Sequence, residues 1–367
     1  MNNFKISTLY HLAVLQQCLR KHNAESSLNP ADFVLQLRAR NRYYTLYPQF
    51  FGVKDGAMHY TPQLEEHTKG FAGWLPYFNK RWPIAASKPA FKDFCQQSGL
   101  RTPPIWRAPQ AGMRDFLVKH CNGAFGNGIR GPFAAYDSRD AAQAIDEQSY
   151  YEAFVRGRIV KATYWDGRLA AVEIKTMATV AGDGKSTLRQ LIAPSLSPLA
   201  PQREWQMLES IAAYEGLTLD SVPAAGRSVL VDFRFGSYVN LLERERLDPF
   251  NDLADTPLLK QLVECGPLAW QGIPEAQRAA TLFTLDAVLD DQDQLWLLEM
   301  NCNPVCHPKV YPLMFETLFG APEAVEQPAP PHASALPHPS LTLGPAMRPG
   351  APRPGAPLIG PHTLRFS

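Results

Sequence analysis

The sequence predicts a mixed α/β (α+β) fold built from more than one domain, and three observations carry that prediction. At 367 residues the chain is long enough for about two or three units with cores of their own. Apolar residues make up 45% and charged residues 19%, the balance of an ordinary globular protein. Helix-period and strand-period stretches alternate from about residue 86 onward, several of the strands joined as antiparallel hairpins.

Residues 1–85 form the first unit, an N-terminal α/β or helical domain. Ile6 to Leu19 reads as an amphipathic helix, interrupted by His11, Gln16 and Gln17. It lacks a basic start and a small-residue cleavage site, so it is not read as a signal peptide. An aromatic-rich stretch follows, with Tyr43, Tyr44, Tyr47, Phe50, Phe51, Trp74, Tyr77, Phe78 and Trp82. Most of these rings are expected in a core or at a domain interface. Residues 86–155 read as helix, strand, glycine loop, strand, helix and strand, and residues 156–320 as a mixed α/β unit. The tail, 321–367, carries 12 of the 33 prolines and cannot build a core. It reads as a linker, a disordered extension or a strap on the folded body.

Lys plus Arg number 36 and Asp plus Glu 35, so no bulk field favours nucleic acid or an acidic membrane. Any cation used on a polyanion is therefore local. Six scattered cysteines are too sparse for a disulfide scaffold and fit a reducing compartment. No run reaches the roughly 18 apolar residues of a membrane span. The expected location is the cytoplasm.

The segment FLVKHCNGAFGNGIRGPF concentrates the chemistry of the first half. A short apolar strand ends at Lys119, and Gly123, Gly126, Gly128 and Gly131 follow at once. Such glycine density lets backbone amides wrap phosphate oxygens beside a fixed cation. It is neither a Walker loop nor a dinucleotide fingerprint, because no Gly-Lys-Ser/Thr opens a helix and the glycines precede a strand. Taken alone, it reads equally as a phosphate cradle or a flexible hairpin.

The segment TLFTLDAVLDDQDQLWLLEMNCNP reads as two strands joined by a polar turn. Strict alternation puts Leu295, Leu297, Glu299 and Asn301 on one face of the second strand. Asp286 sits mid-strand in its partner among apolar neighbours. Carboxylates in such a place need a partner, and magnesium accepts carboxylate and amide oxygens together with phosphates. Hydrogen-bonded structural polar groups are the alternative. Nearby Cys302, Cys306 and His307 have no second ligand pair at a zinc spacing.

These residues resemble the ATP-grasp superfamily, and within it the ligase domain of cyanophycin synthetase-like proteins, over about residues 85–310. SKPAFKDFCQQSGLRTPP is similar to the family's D-K-x-x-T-K helix. KHCNGAFGNGI matches K-P-x-x-G-x-x-G-x-G-V in every glycine and the lysine. YYEAFVRGR resembles the E-x-x-I-x-G-R hinge, followed by an Asp-Gly hairpin and a G-D-G-K-x-T motif. DSVPAAGRSVLV and LLEMNCNP resemble the D-S-V-P-x-x-G-x-x-V and E-x-N-x-x-P segments.

The resemblance implies an ATP-grasp fold, two α/β lobes clasping ATP, and a carboxylate–amine ligase that passes through an acyl phosphate. Lys88 and Lys119 would contact the ATP phosphates, with Gly123, Gly126 and Gly128 closing over them. Glu152, Ala153, Phe154 and Val155 would form the adenine hinge, mostly through backbone groups. Lys175 would face the phosphates. Asp286, Glu299 and Asn301 would hold two magnesium ions (manganese being the substitute), with Glu299 as the bridge. The family's proline after the loop lysine is His120 here, its ribose-binding acid is Ile159, and its arginine two residues later is Lys161. The arginine expected to meet the acceptor carboxylate falls on Asp232, leaving Arg234 as the candidate. Expected partners are a small-molecule or peptide carboxylate and an amine, with no nucleic acid or membrane, and a homodimer as the default assembly. The rival functions are a phosphotransferase and a non-catalytic nucleotide-binding regulator.

Overall fold

A computed structural model describes residues 2–54, 57–66, 68–122, 128–197, 202–236, 245–247, 252–321 and 364–366. The expected N-terminal helix is α1 (Asn2–Lys21), and an antiparallel sheet follows it. Its strands are β1 (Glu25–Leu28), β2 (Leu35–Ala39), β3 (Arg42–Lys54), β4 (Ala57–Thr61) and β5 (Thr68–Leu75). Alternation in β2 is clean: Leu35, Leu37 and Ala39 are buried while Gln36 and Arg38 are exposed, which is a strand with one wet face. Most of the expected core aromatics are in the core. Phe50 and Trp74 are fully buried, whereas Tyr43 and Phe78 face solvent.

Short α2 (Pro83–Ala86) and α3 (Lys88–Gln97) lead into a second antiparallel sheet. It contains β6 (Ile105–Trp106), β7 (Arg114–His120), β8 (Ile129–Ala135) and β9 (Ser149–Ala153), in the order β6-β9-β7-β8. The helix expected between β8 and β9 is only one 3₁₀ turn, Ala141–Gln143, begun by the Asp140 carboxylate on the Ala142 amide. Its turn-forming neighbours Asp137, Ser138 and Asp140 favour local side-chain bonds over a longer helix.

The third region contains β10 (Arg158–Trp165), β11 (Arg168–Thr176), β12 (Ala178–Ala181), α4 (Leu188–Ile192) and α5 (Gln202–Tyr214). Then come β13 (Ser228–Asp232), β14 (Glu245–Leu247), α6 (Pro257–Gln271), α7 (Glu275–Arg278), β15 (Leu282–Leu289), β16 (Leu295–Asn301) and α8 (Val310–Phe319). Five of these strands form an antiparallel sheet in the order β14-β11-β10-β15-β16, and β12 pairs with β13 apart from it. Of the proline-rich tail only β17 (Leu364–Phe366) is described; it pairs antiparallel with β1, at the edge of the N-terminal sheet. The rest of the tail lies outside the described residues.

Helix α8 returns to the N-terminal sheet. Val310, Tyr311, Met314 and Phe315 share a core with Leu15 of α1 and with Phe71 and Trp74 of β5. At its centre the Tyr311 hydroxyl accepts the Trp74 amide (3.1 Å) and pairs with His11 Nδ1 (2.7 Å). Burial pushes the His11 imidazole down to about 3, with His307 adding to the shift. The folded protein therefore holds His11 neutral, while an unfolded histidine takes up a proton near pH ~6.5. Between those values only the unfolded chain binds the proton, so stability is lost as pH falls, at about 1.4 kcal/mol per unit. The variant H11Q is expected to flatten the fall in urea midpoint between about pH 6.5 and about pH 5. A slope equal to that of the wild type would remove His11 from the acid response.

Candidate active site

Antiparallel register assembles the site before any side chain is considered. Glu173 on β11 lies opposite Lys161 on β10, Lys161 opposite Asp286 on β15, and Asp286 opposite Glu299 on β16. Partners in register share a face, so the sheet carries a row of four charged residues across four strands. Two residues along, Thr163 lies opposite Thr284 and Thr284 opposite Asn301. The other face of the same strands is apolar: Val160, Ala162, Val172, Leu285 and Met300 pack into one core with Leu258 and Leu262 of α6. One face builds the fold and the other carries the polar groups.

Strict alternation fails in β16, for a physical reason. A register shift falls between Asp286 and Ala287, where Glu299 pairs with Asp286 but Leu297 pairs with Ala287. The extra residue is a β-bulge, which turns the strand over. Leu295 and Leu297 therefore lie in the apolar core, while Glu299 and Asn301 point to the polar face. The backbone groups at the bulge are satisfied from outside the sheet. The Leu297 amide donates to the Arg101 carbonyl (2.9 Å), and its carbonyl accepts from Lys92 Nζ (3.0 Å) and Thr102 Oγ1 (2.8 Å).

Helix α3 brings the cations. Ser87 caps it by accepting the Ala90 amide, and the Lys88 amide donates to the Cys121 carbonyl (3.0 Å), at the start of the glycine loop. A lysine in the first helical turn opposes the helix dipole at a cost of about 0.3–1 kcal/mol. It is offset here by Glu299, whose Oε2 lies 2.5 Å from Lys88 Nζ. Lys161 Nζ lies 2.9 Å from Asp286 Oδ1, and Asn301 Nδ2 donates to Asp286 Oδ2 (3.2 Å). One helical turn beyond Lys88, Lys92 is fully buried, its Nζ 3.0 Å from Glu152 Oε2. Lys119 of β7 pairs with the other oxygen of that carboxylate.

The two facing carboxylates are driven apart in pKa. Burial raises Asp286, Lys161 opposes the rise, and the adjacent Glu299 charge adds to it, leaving the group above the usual carboxylate range. Burial also works to raise Glu299, but Lys88, with Lys119 and Lys161, outweighs it and holds the group low. For Glu152 the same penalty of burial is outweighed by Lys119 and Lys92. Lys92 itself is pressed down by burial, with Glu152 opposing.

These groups fit a hard divalent cation. Asp286 Oδ1 is buried with the Lys161 ammonium at 2.9 Å as its counter-charge, a second carboxylate faces it, and an amide side chain completes an all-oxygen donor set. Among the described residues no cluster of three or more His, Cys, Asp or Glu exists that could hold a metal. Asp286, Glu299 and Asn301 are the oxygen donors that register and hydrogen bonding bring together here.

The remaining candidates divide. Lys175 of β11 is buried, and its Nζ donates to the Phe235 carbonyl (3.3 Å); the Phe235 ring lies 4.7 Å from Lys161 Nζ. At the segment expected to be the hinge, the Ala153 amide donates to the Pro104 carbonyl (2.9 Å) and the Phe154 amide to that of Asp115 (2.7 Å). The Phe154 ring packs on Phe233 and Tyr214. These two amides are committed to the fold, and Val155 is the next amide along. Gly123 and Gly126 lie outside the described residues. Gly128 is described, at φ +75° with a built Cβ 2.8 Å from that of His120.

Arg234 departs from expectation. Its Nε and one NH2 bond Asp232 (3.0 and 2.8 Å), and both terminal nitrogens reach Glu204 (3.3 and 2.6 Å). Burial works against its charge, but these two carboxylates hold it more firmly protonated than usual. A guanidinium so engaged does not fit the expected contact with a substrate carboxylate. The G-D-G-K-x-T motif likewise organises backbone: Asp183 accepts from the Lys185 and Ser186 amides, and Thr187 forms a capping box with Gln190 at α4.

No protein-family model matches the chain, and no curated protein matches it. Among solved structures it is similar to a bifunctional glutathione synthetase from Pasteurella multocida, at 16% identity over 85% of this chain and 44% of that one, with a TM-score of 0.39. It is also similar to a D-alanine–D-alanine ligase from Bacillus anthracis complexed with ATP, at 10% identity over 65% of this chain and 66% of that one, TM-score 0.36. A third is an L-amino acid ligase from Bacillus licheniformis, at 12% identity over 67% and 51%, TM-score 0.33. The chain spans less than half the length of the glutathione synthetase. Among the described residues no helix is long and apolar enough to cross a membrane.

Proposed function

We propose that the chain is an ATP-dependent carboxylate–amine ligase of the ATP-grasp type. The observation that carries this reading is the meeting of Asp286, Glu299 and Asn301 with Lys88 and Lys161 on one sheet face, beside the buried Lys119–Glu152–Lys92 group. An all-oxygen acid set beside several fixed lysines suits a metal-bound polyphosphate better than a neutral ligand. Residues 86–155 and 156–320 are then two lobes around the nucleotide, with the Val155 amide as hinge donor to the adenine.

In this reading the reaction forms an acyl phosphate from ATP and a carboxylate, and an amine then displaces phosphate to give an amide. Asp286, Glu299 and Asn301 would hold magnesium, which supplies Lewis-acid polarisation of the phosphoryl oxygens. Lys88 and Lys119 neutralise charge on the phosphates, and Lys161 and Lys175 line the adjoining sheet face. Lys88 and Lys161 now pair with the carboxylates; a cation bound there would free both ammonium groups for anionic ligand oxygens. Arg234 holds the segment leading to Phe235 in place by its two carboxylate clamps.

Hydroxylamine tests the chemistry. With ATP, magnesium and pools of amino acids, short peptides and other small acids, a ligase yields a hydroxamate of one carboxylate together with ADP. A phosphotransferase accumulates a stable phosphorylated product instead, and a regulator makes neither. If no pool gives hydroxamate or ATP-dependent amide, the ligase reading is wrong.

A further inference from the structure

A fully buried lysine that touches no expected ligand is the feature the proposed chemistry leaves unused. Lys92 sits one turn after Lys88 on α3, with no exposed side-chain surface. Its ammonium spans two elements: it donates to the Leu297 carbonyl at the bulge of β16 (3.0 Å) and pairs with Glu152 of β9 at 3.0 Å. Glu152, with 1% of its side chain exposed, also pairs with Lys119, whose side chain is 8% exposed. Two ammonium groups thus share one carboxylate, and the group carries one net positive charge. Without Lys92, Glu152 and Lys119 would form a closed neutral pair.

We propose that Lys92 is a positioning residue that balances Glu152 from behind and so leaves the charge of Lys119 to an anion in the cleft. An uncompensated charge in so dry a place is costly, and a bound phosphate is the counter-ion that relieves it. This rests on the phosphate-binding role proposed for Lys119. A purely structural Lys92, one that only closes the bulge of β16, would affect every ligand of the cleft alike. The charge role discriminates between ligands with and without phosphate.

The test is calorimetric binding of ADP, adenosine and inorganic tripolyphosphate to the whole chain. For K92M, ADP and tripolyphosphate affinity should each fall by about tenfold, while adenosine stays within about twofold. The double variant K92M/E152Q removes the buried pair as a unit, a change that buried ion pairs tolerate better than loss of one partner. It should regain tripolyphosphate affinity to within about threefold of wild type, and it carries the test should K92M not fold. A double variant still about tenfold weak in tripolyphosphate overturns the assignment, as does a parallel loss of ADP and adenosine in K92M. Wild-type binding of tripolyphosphate that K92M loses, without any ADP binding, would keep the role of Lys92 and sink the nucleotide reading. Binding of ADP and adenosine by the wild type, with K92M unchanged for ADP, would do the reverse. A wild type that binds none of the three sinks both.

Discussion

Glu299→Gln and Asp286→Asn are each expected to leave a folded protein whose turnover falls by about three orders of magnitude or more. The side chains of Asp286 and Glu299 are 15% and 25% exposed and face each other across the strand pair. Neutralising either one loses an ion pair with a lysine but relieves the repulsion between two carboxylates. The two effects oppose each other, so the melting temperature should move by only a few degrees. Function has no such compensation. An amide is a far poorer ligand than a carboxylate for a hard cation, and the ligand set has only two acids. ADP release at saturating magnesium and a thermal melt measure the two halves separately. Near wild-type ADP release from either variant would mean that these oxygens do not hold the metal.

Much of this site was legible because it follows short-range rules. Asp286 amid apolar strand residues, and Glu299 two residues before Asn301, are visible as polar groups where a strand has no reason to hold them. The hairpin between Leu282 and Asn301 follows from its two apolar runs and polar turn. What was not legible depends on partners distant in sequence. The bulge that turns Leu297 inward is fixed by Lys92, Arg101 and Thr102, about 200 residues away along the chain. Lys92 resembles any surface lysine of an amphipathic helix. Its signals are the match to the last lysine of the D-K-x-x-T-K pattern and the four-residue spacing from Lys88, which puts both lysines on one helix face; neither shows its burial against Glu152 and Leu297. The engagement of Arg234 by Glu204 has no local signature, since α5 and the end of β13 meet only in the folded chain. The N-terminal sheet was foreseen only as one of two alternatives. Its aromatic-rich strands carry a strong burial signal but a weak periodic one, β3 being curved by register shifts against β5.

Gly157→Ala should lower stability by about 2–4 kcal/mol, a fall of roughly 3–6 °C in melting temperature, and weaken nucleotide binding with it. Gly157 stands between the end of β9 at Ala153 and the start of β10 at Arg158, where the chain crosses from one sheet to the other. A Cβ built there lies 2.1 Å from the Leu289 carbonyl oxygen and 2.9 Å from Val288 Cγ1. The obstacle is backbone of β15, which is held on both sides by β10 and β16 and cannot swing away as a side-chain tip would. Relief requires the start of β10 to lift off β15, and Arg158 is paired with Leu289 at that very point. Lys161 and Asp286 lie three residues further along the same pairing, so the displacement is transmitted to the charged row and to the hinge together. Gly99→Ala separates this collision from the ordinary penalty of adding a side chain at a left-handed residue. Gly99 has φ +69° and nothing within 4 Å of its built Cβ, so it should cost only about 1–2 kcal/mol and leave nucleotide affinity alone. Chemical denaturation and ADP titration of the two variants side by side decide the matter. If Gly157→Ala is no worse than Gly99→Ala in stability, β10 and β15 have slack at the crossing and the hinge is not pinned there. If it is destabilised but binds ADP normally, the crossing is a folding constraint alone, and Val155 is not held in place by it.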